Sequence, residues 1–60
     1  MKYIIVENDG FIRNAIDTKN KPNKYGTPKL FTYEEAERWI ERRTYKGMSV
    51  HYTIEPAERR

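Results

Sequence analysis

The feature that most constrains the fold is a single amphipathic helix with a well-marked start. The run from Thr32 to Glu35 has the form of a capping box, in which the hydroxyl of Thr32 and the carboxylate of Glu35 each accept from the other residue's backbone amide. Arg42 and Arg43 suit the negative end of the helix dipole. We therefore predict a helix from about Tyr33 to Arg43. Its apolar stripe, at helical spacing, consists of Tyr33, Ala36, Trp39 and Ile40.

Strands are predicted on both sides of this helix. The β-branched run over residues 3–6 predicts a first strand, and residues 11–16 predict a second strand after a turn. Strict alternation over residues 48–54 predicts a last strand, and residues 29–31 can form a further short one. The predicted fold class is α+β, a small β-β-(β)-α-β sheet of three to four strands with one amphipathic helix packed on one face.

The register of the first hairpin decides which side chains the helix covers. A three-residue turn over residues 8–10, with Gly10 in the left-handed conformation, would pair Val6 with Ile12. A two-residue turn ending at Gly10 would instead set Val6 opposite Arg13 and would scatter the aliphatic residues. We favour the first register, because a slip by one residue moves every side chain to the other face.

This register predicts two sheet faces of different character. The helix would cover Ile4, Val6, Ile12, Ile16, Val50, Tyr52 and Ile54. The open face would carry Tyr3, Ile5, Phe11, Arg13, Ala15, His51 and Thr53. Exposed apolar and aromatic side chains beside an arginine are typical of protein interfaces. We therefore predict a protein-binding surface made of Tyr3, Ile5, Phe11, Arg13 and His51. If the last strand lies beside the first, a right-handed crossover would make the two strands parallel.

Length and composition narrow the possibilities further. A chain of 60 residues gives one domain of marginal stability, and the absence of cysteine removes disulfides and thiolate metal sites. We predict a single domain over residues 1–55 and a frayed, charged tail over residues 56–60. Support from a protein partner, or from self-association as a homodimer, is expected for so small a core. The apolar runs are too short for a signal-peptide core or a membrane span, so we expect a cytoplasmic protein without membrane contact.

Catalytic chemistry is not expected from these residues. The carboxylates of the helix belong to its cap or its polar side, where acid–base catalysis by a perturbed pair is not indicated. His51 is the single histidine, and the hydroxyls nearest in sequence, Ser49 and Thr53, lie on its own strand. The three glycines are isolated, so no phosphate-cradling loop is predicted. We predict no enzymatic activity, no metal or other cofactor, and no small-molecule substrate.

Two groups of basic residues offer an alternative to protein binding. One lies in and after the polar loop over residues 17–28, the other at the end of the helix, and the net charge is +3. Basic residues interleaved with aromatic ones can bind phosphates and stack on bases. Lysines also solubilise loops, and arginines also stabilise helix ends, so both interpretations stay open. The residues of this nucleic-acid alternative are Lys19, Lys21, Lys24, Tyr25, Lys29, Arg42, Arg43 and Lys46.

The run from Leu30 to Ile40, preceded by a hairpin and followed by a strand, resembles small proteins encoded by bacteriophages and prophages. The shared feature is a capped helix that turns Ala36, Trp39 and Ile40 inward. The resemblance implies an accessory or host-takeover factor. Some proteins of this kind inhibit defence systems or host enzymes by binding them. The first expectation is therefore a non-enzymatic binding protein that contacts a partner protein or a second copy. The alternative is a small basic nucleic-acid-binding module.

Overall fold

The computed structural model describes residues 1–59, and within them it shows a three-stranded sheet and one α-helix. The elements are β1 (Tyr3–Asp9), β2 (Ile12–Ala15), α1 (Tyr33–Arg43) and β3 (His51–Pro56), with a short 3-10 helix (Ala57–Arg59) at the end. The predicted α+β class, with a helix packed on one face of a small sheet, is confirmed.

The sheet has the strand order β2-β1-β3, and both neighbouring pairs are antiparallel. The crossover through α1 starts from β2, not from β1. β3 pairs with β1 in the antiparallel direction, as β2 does on the other side of β1. β2 and β3 therefore run in the same direction. The predicted parallel pairing of first and last strands is therefore wrong. The chain forms a β-α-β unit whose two strands are separated by β1.

α1 begins and ends where the sequence predicts. The Glu35 backbone amide donates to the Thr32 hydroxyl at 3.2 Å, and the Thr32 amide donates to the Glu35 carboxylate at 2.9 Å. The capping box is complete. Phe31 before the cap and Ala36 after it are buried in the same core cluster. The cap therefore fixes the start of the helix and directs its apolar stripe toward the sheet.

The hairpin register differs from both predicted registers. Val6 pairs with Ala15 and Asp9 pairs with Ile12, so Gly10 and Phe11 alone form the turn. Gly10 has a φ of 65°, and the φ of Phe11 is not positive. This is the pattern of a type II′ turn, which takes glycine at its first central position. Phe11 consequently stands at the hairpin tip, fully exposed, rather than in β2.

The apolar side chains of β1 are buried on both faces of the sheet. The core beneath α1 consists of Ile5, Ile16, Phe31, Ala36 and Trp39, with Ile40, Tyr52 and Ile54 packed against it. A second cluster, on the opposite face, consists of Ile4, Val6 and Ala15, with Ala57 packed against it. The prediction placed Ile4 and Val6 beneath the helix and Ile5 on the open face, and this assignment is wrong. Ile4, Ile5 and Val6 are all apolar, so an alternating pattern of apolar and polar residues cannot show which of them faces the helix.

The chain after residue 55 completes β3 at Pro56 and contacts the sheet through Ala57. β3 continues to Pro56, and the Ala57 amide donates to the Lys2 carbonyl at 3.0 Å. The side chain of Ala57 helps to cover Ile4 and Val6. Of the predicted tail over residues 56–60, Pro56 thus belongs to β3 and Ala57 packs on the second apolar cluster; Arg60 lies outside the described residues.

The short strand predicted over residues 29–31 is reduced to one bridge. Phe31 and Tyr3 exchange two backbone hydrogen bonds, each 2.8 Å long. This bridge brings the end of the long loop beside the start of β1 and places Phe31 directly before the cap of α1.

Candidate functional site

A hollow of about 240 Å3 beside α1 collects cationic side chains from two parts of the chain. One wall is the segment that precedes the helix, and the other is one flank of α1. The hollow, called the basic groove below, is lined by Lys29, Leu30, Phe31, Glu35, Arg38, Trp39 and Arg42. It therefore combines three cations, one carboxylate and an apolar floor.

The helical contribution to the basic groove follows from residue spacing. Arg38 and Arg42 are four residues apart, so they leave the same flank of α1 about one turn from each other. Arg38 also forms an ion pair with Glu34, at 3.8 Å, in which both side chains are largely exposed. Exposed pairs of this kind contribute about 0–1 kcal/mol. The guanidinium of Arg38 is therefore available to an anionic ligand at small cost.

Trp39 forms the floor of the basic groove. Its ring packs edge-to-face against Phe31, with centroids 6.3 Å apart, and against Tyr52, with centroids 5.1 Å apart. The Arg43 guanidinium lies 4.1 Å from the centroid of the Trp39 ring, in cation–π geometry. Trp39 is only 8% exposed. It supports the Arg43 guanidinium and offers no open face for stacking.

Asn20 joins the long loop to α1. It adopts the left-handed conformation, with a φ of 63°, which asparagine tolerates better than most residues. Its side-chain oxygen accepts from the indole N–H of Trp39 at 3.2 Å and from the Lys29 ammonium at 3.1 Å. This one acceptor thus links the long loop to Lys29 and to Trp39 of α1.

Asp17 organises the loop that carries Asn20. Asp17 is 7% exposed, and its carboxylate accepts from the backbone amides of Lys19 (2.9 Å) and Lys21 (3.1 Å) and from the side-chain amide of Asn23 (3.2 Å). The hydrogen bond from the Lys21 amide is the largest cause that lowers the pKa of Asp17. The loop is therefore a folded structure built around an ionised carboxylate, rather than a solvated linker.

Glu35 is the single carboxylate among the residues that line the basic groove. The hydrogen bond from the Thr32 amide lowers the pKa of Glu35, so the group is ionised near neutral pH. Because the carboxylate is bound in the capping box, it serves the helix start. The lining of the groove then has a formal charge of +2, from three cations and one anion.

The structure brings together part of the predicted nucleic-acid set. Lys29 and Arg42 line the groove, and Arg43 covers Trp39. Lys19 and Lys21 are the sequence neighbours of Asn20, and their backbone amides donate to Asp17. Lys24, Tyr25 and Lys46 are exposed and do not line the groove; the Lys24 ammonium lies 5.8 Å from the Tyr25 ring centroid.

Sequence reasoning missed two members of this site. Arg38 was left out of the predicted nucleic-acid set, although its spacing to Arg42 already places both on one helix flank. Asn20 gave a weaker signal, since asparagine is common in turns for many reasons. Its role depends on Trp39, which is 19 residues away in the chain.

The predicted protein-binding set does not form one surface. Ile5 is fully buried beneath α1, and Tyr3 is half-buried with its ring 5.3 Å from that of Tyr33. Phe11 stands at the hairpin tip. Arg13 and His51 do lie on the face opposite the helix, where the side-chain partners of Arg13 are polar. The Arg13 guanidinium forms an ion pair with Glu55, and its Nε donates to the Asn8 side chain at 2.7 Å. The predicted apolar patch is therefore absent from the part of the sheet that the structure describes.

Comparisons with known proteins give no relatives for this arrangement. No protein-family model matches the chain, and no curated protein or solved structure is significantly similar to it. Within residues 1–59, no helix is long and apolar enough to cross a membrane.

Proposed function

We propose that this chain is a non-enzymatic nucleic-acid-binding protein that holds the sugar–phosphate backbone in the basic groove. The observation that carries the proposal is the meeting of Lys29, Arg38 and Arg42 around one hollow whose single carboxylate is engaged in a helix cap. Two segments that are separate in sequence supply these cations. Their convergence requires the loop to fold back on α1.

Phosphate is the ligand that suits these groups best. A guanidinium is planar and can donate two parallel hydrogen bonds to phosphate oxygens, while an ammonium acts as a compact point charge. Arg38 and Arg42 supply the first kind of donor and Lys29 the second. All three are at the surface, so phosphate can reach them without opening the core.

A polymer is favoured over an isolated phosphate because the cations continue beyond the groove. Lys19 and Lys21 lie on either side of Asn20, which contacts Trp39, and Arg43 lies on the Trp39 ring. One phosphate cannot contact all of these cations. Successive phosphates of a nucleic acid can, and each contact releases condensed counterions.

The recognition is expected to be independent of base sequence. Phe31 and Trp39, the aromatic residues of the groove, are 4% and 8% exposed and cannot receive a base on their faces. Contacts to phosphates fix position and carry no direct sequence information. We therefore expect similar affinities for oligonucleotides of different sequence but equal length.

Fluorescence anisotropy with a labelled oligonucleotide tests the proposal. Arg42→Gln removes a cation of the basic groove, and Arg13→Gln is the matched control, since it removes one cation from the opposite face of the sheet. Three phosphate contacts give a log–log slope of affinity against salt of about −2 for a single strand and about −2.7 for a duplex. Arg42→Gln should weaken binding and reduce the slope by about one contact. Equal effects of the two substitutions, or no binding at low salt, would reject the proposal.

A protein partner is the second candidate, favoured by the exposed hairpin tip. Phe11 is fully exposed, and its neighbour Ile12 is 60% exposed. Two adjacent apolar side chains in this position suit self-association, so a second copy is the proposed occupant. A host-directed inhibitory role and a phage origin belong to this candidate and stay predictions. Sedimentation of the wild type and of Phe11→Glu tests it, because only a tip-mediated dimer would dissociate on this substitution.

A further inference from the structure

We infer that the other flank of α1, together with the edge strand β3, is a second binding site that accepts a basic, extended peptide as an additional strand. This flank faces away from the basic groove. Its hollow, called the acidic groove below, has a volume of about 480 Å3 and is lined by Glu37, Ile40, Glu41, Thr44 and Ile54. The inference is independent of nucleic-acid binding.

The position of β3 provides the backbone part of this site. In the part of the chain that the structure describes, β3 pairs with β1 alone and forms one edge of the sheet. Alternate backbone N–H and C=O groups of an edge strand point away from the sheet and can pair with another extended chain. Peptides bind many domains by adding a strand to such an edge, with alternate side chains entering adjacent pockets.

The acidic groove provides the side-chain part of this site. Ile54 on β3 and Ile40 on α1 are both only partly buried and form its apolar floor. Residues 37, 40, 41 and 44 recur at helical spacing, so they form one continuous flank beside β3. An apolar side chain from an added strand would cover the two isoleucines and complete their burial.

The negative charge of the acidic groove indicates which kind of peptide would bind there. Glu37 and Glu41 line the acidic groove, and none of its lining residues is cationic. Side chains two residues apart in a strand lie on the same face. The fitting peptide therefore has an apolar residue with lysine or arginine two positions before or after it. The apolar side chain enters the groove while the basic one reaches the helical carboxylates.

The same charges argue against a second copy in this place. Antiparallel pairing of β3 with β3 of another copy requires a twofold axis perpendicular to the sheet, which keeps both helices on the same face. Glu37 and Glu41 would then face their counterparts across the axis, and like charges at close range are unfavourable. The basic side chains of a peptide would instead be attracted to Glu37 and Glu41.

Calorimetric titration with synthetic peptides tests the inference on the full chain. The probe is an eight-residue peptide of β-branched residues with a central valine and lysines two positions to each side; one control peptide replaces both lysines with glutamate, and another replaces the valine with serine. Wild-type protein should bind the probe and neither control. The double substitution Glu37→Gln and Glu41→Gln should weaken probe binding by about two- to fivefold for each carboxylate.

Amide hydrogen exchange gives the second, independent measurement. Probe binding should slow the exchange of alternate β3 amides and leave the amides of the basic groove unchanged. Glu34→Gln is the matched control variant, because it removes a helical carboxylate outside the acidic groove and should leave probe affinity unchanged. Probe binding that ignores Glu37 and Glu41, protection outside β3, or dimerisation of the wild-type protein through β3 would each overturn the inference.

Discussion

The side chain of Asn20 allows a quantitative test of how the site is assembled. Its oxygen accepts from the Trp39 indole at 3.2 Å and from the Lys29 ammonium at 3.1 Å. In Asn20→Gly the left-handed backbone is retained, because glycine adopts a positive φ freely, while the acceptor is lost. Leaving the indole N–H of a mostly buried tryptophan without a partner costs about 1–3 kcal/mol. For a domain of this size, each kcal/mol lowers Tm by about 4–8 °C.

Two further substitutions at this position separate the side-chain effect from the backbone effect. Asn20→Asp keeps an acceptor oxygen and should melt near the wild type. Asn20→Ala loses the acceptor and also places a Cβ atom at positive φ, which adds roughly 1 kcal/mol. The expected order of Tm values from thermal unfolding is wild type and Asp, then Gly, then Ala. A Gly variant that melts with the wild type would refute the role of the Asn20–Trp39 hydrogen bond.

Four other perturbations follow from the fold. Thr32→Ala removes the N-cap acceptor and should lower the free energy of unfolding by about 1 kcal/mol in urea titrations; an unchanged midpoint would contradict the capping box. Trp39→Ala should cost roughly 3–5 kcal/mol, comparable to the whole stability of so small a domain, and should abolish cooperative unfolding. The folded-state pKa values of Asp17 and Glu35 are lowered, so their contribution is complete above the ordinary values of 3.8 and 4.5 and disappears as pH falls through the folded values. Melting curves should therefore shift to lower temperature only on acidification below about pH 4.5, and a decline that begins near neutrality would contradict this assignment. Phe11→Glu should retain the wild-type circular dichroism spectrum, because the side chain is fully exposed; loss of the spectrum would contradict its place at the hairpin tip.

The helix was predictable because its signals are local. Thr32 and Glu35 are three residues apart, and both halves of the capping box can be identified in one short run of sequence. The last strand was predictable in part, because the alternation places Tyr52 and Ile54 on the helix side. Its predicted bounds, residues 48–54, were wrong, since β3 begins at His51 and ends at Pro56. Local patterns of this kind predict the fold correctly where tertiary packing favours the same structure.

The hairpin register was not predictable from such patterns. Gly10 can take a positive φ either as the last residue of a three-residue turn or as the first central residue of a type II′ turn. The run from Ile4 to Val6 is apolar throughout, so it fits both faces equally well. The second apolar cluster, against which Ala57 packs, joins the two ends of the chain, so local patterns do not indicate it.

The basic groove was predictable in composition but not in arrangement. The lysines and arginines were recognised as two groups, and nothing in the sequence indicated that Lys29 and Arg42 share one hollow. Their meeting depends on Asp17, which folds the loop, and on Asn20, which attaches it to Trp39. The roles of these two polar side chains depend on their hydrogen-bond partners, which the sequence alone does not identify.

The most direct test of nucleic-acid binding at the basic groove is a nuclear magnetic resonance titration with a short single-stranded oligonucleotide at low salt. Trp39 is the single tryptophan, so its indole N–H gives one resolved signal at the floor of the groove. We predict that this signal and the backbone amides of Lys29, Arg38 and Arg42 shift together and saturate at one affinity. Shifts confined to the opposite face around Arg13 and His51, or an unchanged spectrum, would contradict the account.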